Sequence, residues 1–254
     1  MTDFQSLHRL DGRIALVTGA GAGIGRATAH ALAQAGALVA LTDVDLAGAE
    51  QVAGEIDQDW VHHLDVADEA EVDAVTEEVA SRHGRIDILV NNAGVGARDA
   101  TVDLETDRWQ RVFDIGPTGS FYLSRAVGRH MLKAGSGAVV NVASIMGLVG
   151  GGHYPNLAYH GAKGAIVNMT RALACEWAPK GVRVNAVAPT FARTQLTSTL
   201  LADNAMVEKL LEATPMGRFV EADEVASAIT FLAGDASSMI TGAILPIDGG
   251  WTAR

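Results

Sequence analysis

Short apolar runs recur along the chain, and each closes on a polar or glycine residue. Ile14-Ala15-Leu16-Val17-Thr18 meets Gly19; Leu38-Val39-Ala40-Leu41-Thr42 meets Asp43; Ile86-Asp87-Ile88-Leu89-Val90 meets Asn91; Ala138-Val139-Val140-Asn141-Val142-Ala143 meets Ser144. Runs of this length bounded by turn residues read as strands. The pattern predicts strands near 13–18, 37–42, 60–64, 86–90, 138–143, 182–187 and 243–247. Between them apolar positions recur with helical spacing, predicting helices near 24–35, 46–55, 68–83, 105–133, 157–178 and 222–233. Gly135-Ser136-Gly137 and Pro179-Lys180-Gly181 read as helix stops. Strands alternating with helices predict an α/β fold, a doubly wound parallel sheet of seven strands with helices on both faces. No linker or repeat divides the sequence, so residues 1–254 read as one domain. Residues 190–218 break the alternation, and a long connection of this kind is often a lid over a site. Its apolar residues, among them Leu196, Leu200, Met206 and Leu210, predict one or two short amphipathic helices.

The strand ends carry the first chemistry. After the first run the chain reads Gly19-Ala20-Gly21-Ala22-Gly23-Ile24-Gly25, then an Ala-rich helical pattern. Glycines let a backbone approach a pyrophosphate, and the following helix N-terminus favours its negative charge. Asp43 ends the second strand eighteen residues after Gly25. A carboxylate there suits the ribose hydroxyls of NAD and repels the 2′-phosphate of NADP. No Lys or Arg adjoins Asp43, so NAD is the expected cofactor. Asp65-Val66 and Asn91-Asn92-Ala93-Gly94 follow two further strands, where adenine and ribose contacts should fall.

Residues 159–163 read Tyr-His-Gly-Ala-Lys. A spacing of four on a helix puts Tyr159 and Lys163 on one face. An ammonium beside a phenol favours the phenolate, which predicts a lowered Tyr159 pKa. Such a phenol can exchange a proton with an alcohol or ketone oxygen. Ser144, fifteen residues earlier, can hydrogen-bond the same oxygen.

Taken together, Thr18-Gly19-x-x-x-Gly23-x-Gly25, Asp65-Val66, Asn91-Asn92-Ala93-Gly94, Ser144, Tyr159-x-x-x-Lys163 and Pro189 resemble the short-chain dehydrogenase/reductase family, over nearly the whole chain. The resemblance implies a Rossmann oxidoreductase. Tyr159 would be its acid/base, Lys163 would lower the Tyr159 pKa and hold the nicotinamide ribose, and Ser144 would orient the substrate. Thr194 would lie near the nicotinamide carboxamide. The resemblance also implies pairing of the two long helices between subunits and, with the C-terminal run 244–251, a homotetramer. Two positions depart from the family pattern. Gly116 stands where many members carry a catalytic Asn, and Pro117 after it predicts a break in the helix by another route. Thr190 stands after Pro189 where the family usually has Gly.

Composition narrows the alternatives. The 254 residues carry 30 acidic and 19 basic side chains, net −11, which argues against a nucleic-acid partner. No apolar run is long enough to span a bilayer, and the N-terminus lacks an apolar signal region. The single cysteine, Cys175, fits a reducing cytoplasm and reads as packed rather than reactive. Of eight histidines, His62 and His63 are adjacent in a strand and point to opposite faces, so no metal site is expected. The glycine-flanked serine elbow of a hydrolase is missing around Ser144.

After Ser144 comes a glycine triplet, 150–152, expected to be mobile, and then His153, Tyr154 and Asn156. His153 and Asn156, with Ser144 and Tyr159, are the expected substrate contacts, and Arg98 and Arg193 could meet a carboxylate. This set leans toward a sugar, polyol or sugar acid. Reduction of an apolar ketone, or a catalytically weak NAD-binding sensor with Gly116 as the motive, are the alternatives.

Overall fold

The computed structural model describes residues 3–151 and 153–253. Seven parallel strands form one sheet: β1 (Ile14–Thr18), β2 (Leu38–Asp43), β3 (Val61–His63), β4 (Ile88–Asn91), β5 (Gly137–Val142), β6 (Val182–Pro189) and β7 (Ile244–Ile247). They lie in the order β3-β2-β1-β4-β5-β6-β7, so the winding reverses between β1 and β4. Crevices at such reversals, beyond the carboxyl ends of the strands, are where open α/β sheets bind ligands. The α/β class read from the apolar runs is the one observed.

Around the sheet run α1 (Gly23–Gln34), α2 (Leu46–Glu55), α3 (Glu69–His83), α4 (Thr106–Phe113), α5 (Gly119–Ala134), α6 (Leu157–Trp177), α7 (Ser198–Leu201), α8 (Asn204–Glu212) and α9 (Ala222–Ala233). The two-residue period of the strands divides the core. Ala15, Val17, Val39, Leu41 and Val90 pack with Leu32, Val52 and Ile229, from α1, α2 and α9. Ile14, Leu16, Leu89, Val139 and Val184 pack on the other face with Val79, Leu123, Val127 and Trp177, from α3, α5 and α6. Both faces of the inner strands are covered, which is why they read as continuous apolar runs rather than alternating ones.

Helix ends follow local chemistry. Asp68 accepts the N–H groups of Ala70 and Glu71 at the start of α3, and Gly84 closes it in the left-handed region at φ 73°. Asp203 caps α8 in the same way, and Glu221 and Glu224 form a reciprocal capping box on α9.

Two features differ from the sequence expectations. The helix expected over 105–133 is α4, a π-helical turn over Asp114–Thr118, and α5. Pro117 lies in that turn. Proline lacks an N–H and crowds the carbonyl four residues back, and the wider turn accommodates both. The chain therefore widens at Gly116-Pro117 and stays helical. Cys175 is exposed, between the buried Ala174 and Trp177 of α6, so the packed reading of it does not hold. β7 is an edge strand with partly exposed side chains, and Pro246 sits on it where a missing N–H costs least.

Residues 190–218 contain α7 and α8. Leu200 and Leu210 join Phe191, Phe219, Ile145, Met146 and Trp251 in a separate apolar cluster beyond the end of β5.

Candidate active site

The site begins where β1 ends. Gly19 turns the chain at φ 63°, and α1 starts at Gly23 with no side chain capping it, which leaves first-turn N–H groups available to an anion. A methyl group on Gly25 would overlap the Gly19 carbonyl and lie 2.6 Å from Asn92 Nδ2. Only glycine lets the turn, α1 and the end of β4 meet this closely. Thr18 ties them together: its Oγ1 accepts the N–H groups of Asn92 (3.0 Å) and Ala93 (3.1 Å), while Asn92 Nδ2 donates to Thr18 O and Gly19 O.

Asp43 stands at the end of β2, the neighbouring strand. Its Oδ2 accepts Gly21 N–H at 2.8 Å and its Oδ1 accepts Asp45 N–H at 2.9 Å. The carboxylate is thus fixed against the glycine turn, with lone pairs left for further donors. Asp65 is exposed after β3, its Oδ1 holding Ala67 N–H, and Val66 is buried beside it.

These groups open on a cleft of about 470 Å³. Gly19, Gly23, Ile24, Asp43, Asp65, Val66, Asn92, Ala93, Gly94, Tyr159, Lys163, Pro189 and Thr194 line it. Gly25 lies behind the turn and acts by its small size. The glycine cradle, the uncapped helix start and the held carboxylate fit the pyrophosphate and ribose of a nicotinamide dinucleotide.

At the inner end of the cleft, α6 brings Tyr159 and Lys163 together. Lys163 Nζ is buried and donates to Val142 O at 2.6 Å. It also lies 5.6 Å from the centre of the Tyr159 ring. Burial pulls its ammonium down to about 8. The Tyr159 phenol moves the other way. Burial pushes it up to about 12, against the opposing pull of its hydrogen bond with Ser144. Burial therefore opposes the lowering expected from Lys163, whose ammonium lies 5.6 Å from the ring centre. Ser144 stands at the end of β5, its Oγ also accepting Met146 N–H at 3.2 Å. A phenol, a hydroxyl and a buried amine at one point can bind a substrate oxygen and manage its proton.

A second cavity of about 60 Å³ continues from Ser144 and Tyr159, bounded by Arg98, Tyr154, Asn156, Thr190 and Leu196 among others. Asn156 therefore joins Ser144 and Tyr159 there. His153 and Arg193 do not. The His153 ring packs edge-on against Trp251 with centroids 5.3 Å apart. Arg193 lies over the Phe219 ring and lines an outer groove between α1 and α9. Of the glycine triplet, Gly152 lies outside the described residues, and Gly151 N–H is held by His160 Nε2 at 3.0 Å.

Residues 19–252 match the family described as enoyl-(acyl carrier protein) reductase. D-threitol dehydrogenase of Mycolicibacterium smegmatis is 43% identical over 263 residues, covering 100% of each chain. The chain belongs to the short-chain dehydrogenase/reductase family. Galactitol 2-dehydrogenase of Rhizobium johnstonii, another relative, is 41% identical with 98% of each chain covered. A gluconate 5-dehydrogenase of Burkholderia cenocepacia J2315, solved with NADP and tartrate, superposes with a TM-score of 0.94 at 36% identity over 98% of each chain. As a short-chain dehydrogenase/reductase the protein is an oxidoreductase that uses a nicotinamide cofactor.

Some members of the site escaped the sequence reading. Thr18 was read as the strand end that opens the glycine motif but not as its brace, although a Thr directly before a glycine turn is placed to brace it. The Val142 carbonyl carries no sequence signal. Asn91 Nδ2 reaches Asn141 Oδ1 and Ser124 Oγ, and Asn141 Nδ2 reaches Thr170 Oγ1, a buried network that fixes α5 and α6 against β4 and β5. Polar residues inside otherwise apolar runs were its only trace.

Proposed function

We propose that this enzyme interconverts a secondary alcohol and its ketone on a polyol or sugar, with NAD as its cofactor. The observation that carries the reading is the convergence of Ser144, Tyr159 and Lys163 at the inner end of the cleft that Asp43 and the glycine turn open. The sugar and polyol names of the relatives support the substrate class.

When bound, the nicotinamide supplies the hydride acceptor or donor. The chain would handle position and proton. Gly19, Gly23 and the start of α1 would seat the pyrophosphate, Asp43 the adenosine ribose, and Asp65, Val66, Asn92, Ala93 and Gly94 the adenine side of the cleft. Lys163 would hold the nicotinamide ribose, with Pro189 and Thr194 beside the ring. Ser144 Oγ would bind the reacting oxygen, and Tyr159 would take the proton from an alcohol or return it to a ketone. Burial pushes its phenol up to about 12, and the positive charge of Lys163 beside it would favour the phenolate.

Asp43 supports NAD over NADP, since its fixed carboxylate would face a 2′-phosphate; the NADP-bound relative is the contrary case. The connection over 190–218 would act as a lid. The family habit of pairing the long helices supports a homotetramer, and Phe121 on α5 and Leu157 on α6 are exposed in the single chain. A single cysteine fits a cytoplasmic site of action.

The test follows reduced-nicotinamide absorbance with NAD or NADP against polyols, sugars, sugar acids and simple secondary alcohols, with Tyr159→Phe alongside. Turnover favouring NAD and polyols, falling at least ~100-fold in Tyr159→Phe, is expected. Oxidation needs the phenolate, so kcat/KM for the alcohol should rise with pH toward the phenol's value of about 12. Tight NAD binding with no turnover on any alcohol would instead make the protein a sensor.

A further inference from the structure

Two polar side-chain atoms at the small cavity have no hydrogen-bond partner among the described residues. Asn156 and Thr190 are 7% and 9% exposed. Neither Asn156 Oδ1 nor Thr190 Oγ1 makes a hydrogen bond to the described residues. Buried polar atoms in native proteins are nearly always paired, so two orphans on residues that line one cavity ask for a ligand.

Each orphan is the more telling for its position. Asn156 precedes α6, where an Asn side chain ordinarily caps the helix, yet it makes no cap bond. Its backbone carbonyl instead accepts from His160, and its side chain interacts with the Tyr154 phenol. Thr190 is held by its own N–H, which donates to Ile247 O at 3.1 Å, and it borders both the cofactor cleft and the small cavity. It is also the residue that replaces the family's usual glycine.

We propose that Asn156 and Thr190 form a subsite that binds a second hydroxyl, on the carbon next to the one oxidised, so that the enzyme selects vicinal diols. The inference rests on the polyol reading above. Asn156 Oδ1 only accepts, so it requires a donor, which a hydroxyl supplies and a carboxylate does not. Thr190 Oγ1 both donates and accepts, and can complete the bonding of the same hydroxyl. The cavity adjoining Ser144 and Tyr159 holds about 60 Å³, so a group reaching it from the reacting carbon is only one or two bonds away. Arg98, the cation at this cavity, donates to Leu196 O and Thr199 Oγ1, both at 2.7 Å. It is engaged with the connection after β6, which favours a neutral polyol over a sugar acid.

The experiment compares 2,3-butanediol with 2-butanol, which differ by one hydroxyl, in wild type, Thr190→Val, Thr190→Ser and Asn156→Leu. Titration calorimetry of threitol into each protein with NAD present is the second readout. The diol-to-monoalcohol ratio of kcat/KM should fall roughly 10-fold in Thr190→Val and in Asn156→Leu, as expected when a buried polar partner is removed. Thr190→Ser should restore it. An unchanged ratio in both variants overturns the proposal. So does an effect of Thr190→Val confined to the KM for NAD, which would assign the hydroxyl to the cofactor. If wild type turns over neither alcohol while threitol binding heat is still lost in the variants, the subsite stands and the dehydrogenase reading fails.

Discussion

Lys163 is a charged group buried at a cost to the fold. Its ammonium falls from the ordinary 10.5 to about 8 because burial disfavours the charged form. The native protein therefore releases this proton near pH 8 and the unfolded chain near pH 10.5. Between these values the unfolded chain holds more protons, so stability rises with pH across that window. Below pH 8 the full penalty applies, about 3 kcal/mol at ~1.4 kcal/mol per pKa unit. Lys163→Met should lose activity and gain up to about 3 kcal/mol at pH 7, measured by denaturant unfolding. The gap between variant and wild type should narrow from pH ~8 to ~10. The comparison stops there because Tyr159, pushed up to about 12, then acts in the opposite sense. An unstabilised Lys163→Met would mean that the bond to Val142 O offsets the burial.

Among the elements, the segment after β6 depends on few ties. Its apolar cluster is small, and Arg98 fastens it from the opposite loop through Leu196 O and Thr199 Oγ1. Arg98→Leu should raise the KM for the alcohol several-fold and speed tryptic cleavage after the exposed Arg193, read by mass spectrometry of timed digests. Equal cleavage in both proteins would show that the cluster holds the segment unaided. Most elements were legible beforehand, because the inner strands bury both faces and so stand out as unbroken apolar runs. The π turn was not. Gly116-Pro117 signals a disturbance, but whether a helix breaks or widens depends on what packs there, and α6 lies close, with the Ala162 methyl 3.6 Å from where a Gly116 Cβ would sit. The same limit applies within the site. Tyr159, Lys163 and Asp43 announce themselves by spacing, whereas His153 and Asn156 share the segment before α6 and Arg193 lies in the one after β6, and only folding decides which reaches the cavity. Cys175 was misread for a similar reason: its neighbours Ala174 and Trp177 are buried, and a helix turns about 100° per residue.

Across the whole molecule, the crevice belongs to no contiguous piece of chain. Its walls run from Gly19 to Thr197 and come from beyond the ends of β1, β2, β3, β4, β5 and β6. β1 pairs with β4, so the glycine turn is braced only after the chain has crossed the sheet and Asn92 has docked on Thr18. A chain still being synthesised, or a fragment ending before β6, has the glycine signature without the pocket it announces. Dinucleotide binding is thus a property of the finished fold, and it couples to global unfolding through mass action, adding about 2.7 kcal/mol at a hundredfold excess over Kd. NAD should raise the melting temperature of the intact chain, while fragments ending near residue 150 should show no response. During refolding, recovery of cofactor fluorescence should coincide with the last structural phase: the nucleotide reads the sheet only when it is whole, and from then on protects all of it at once.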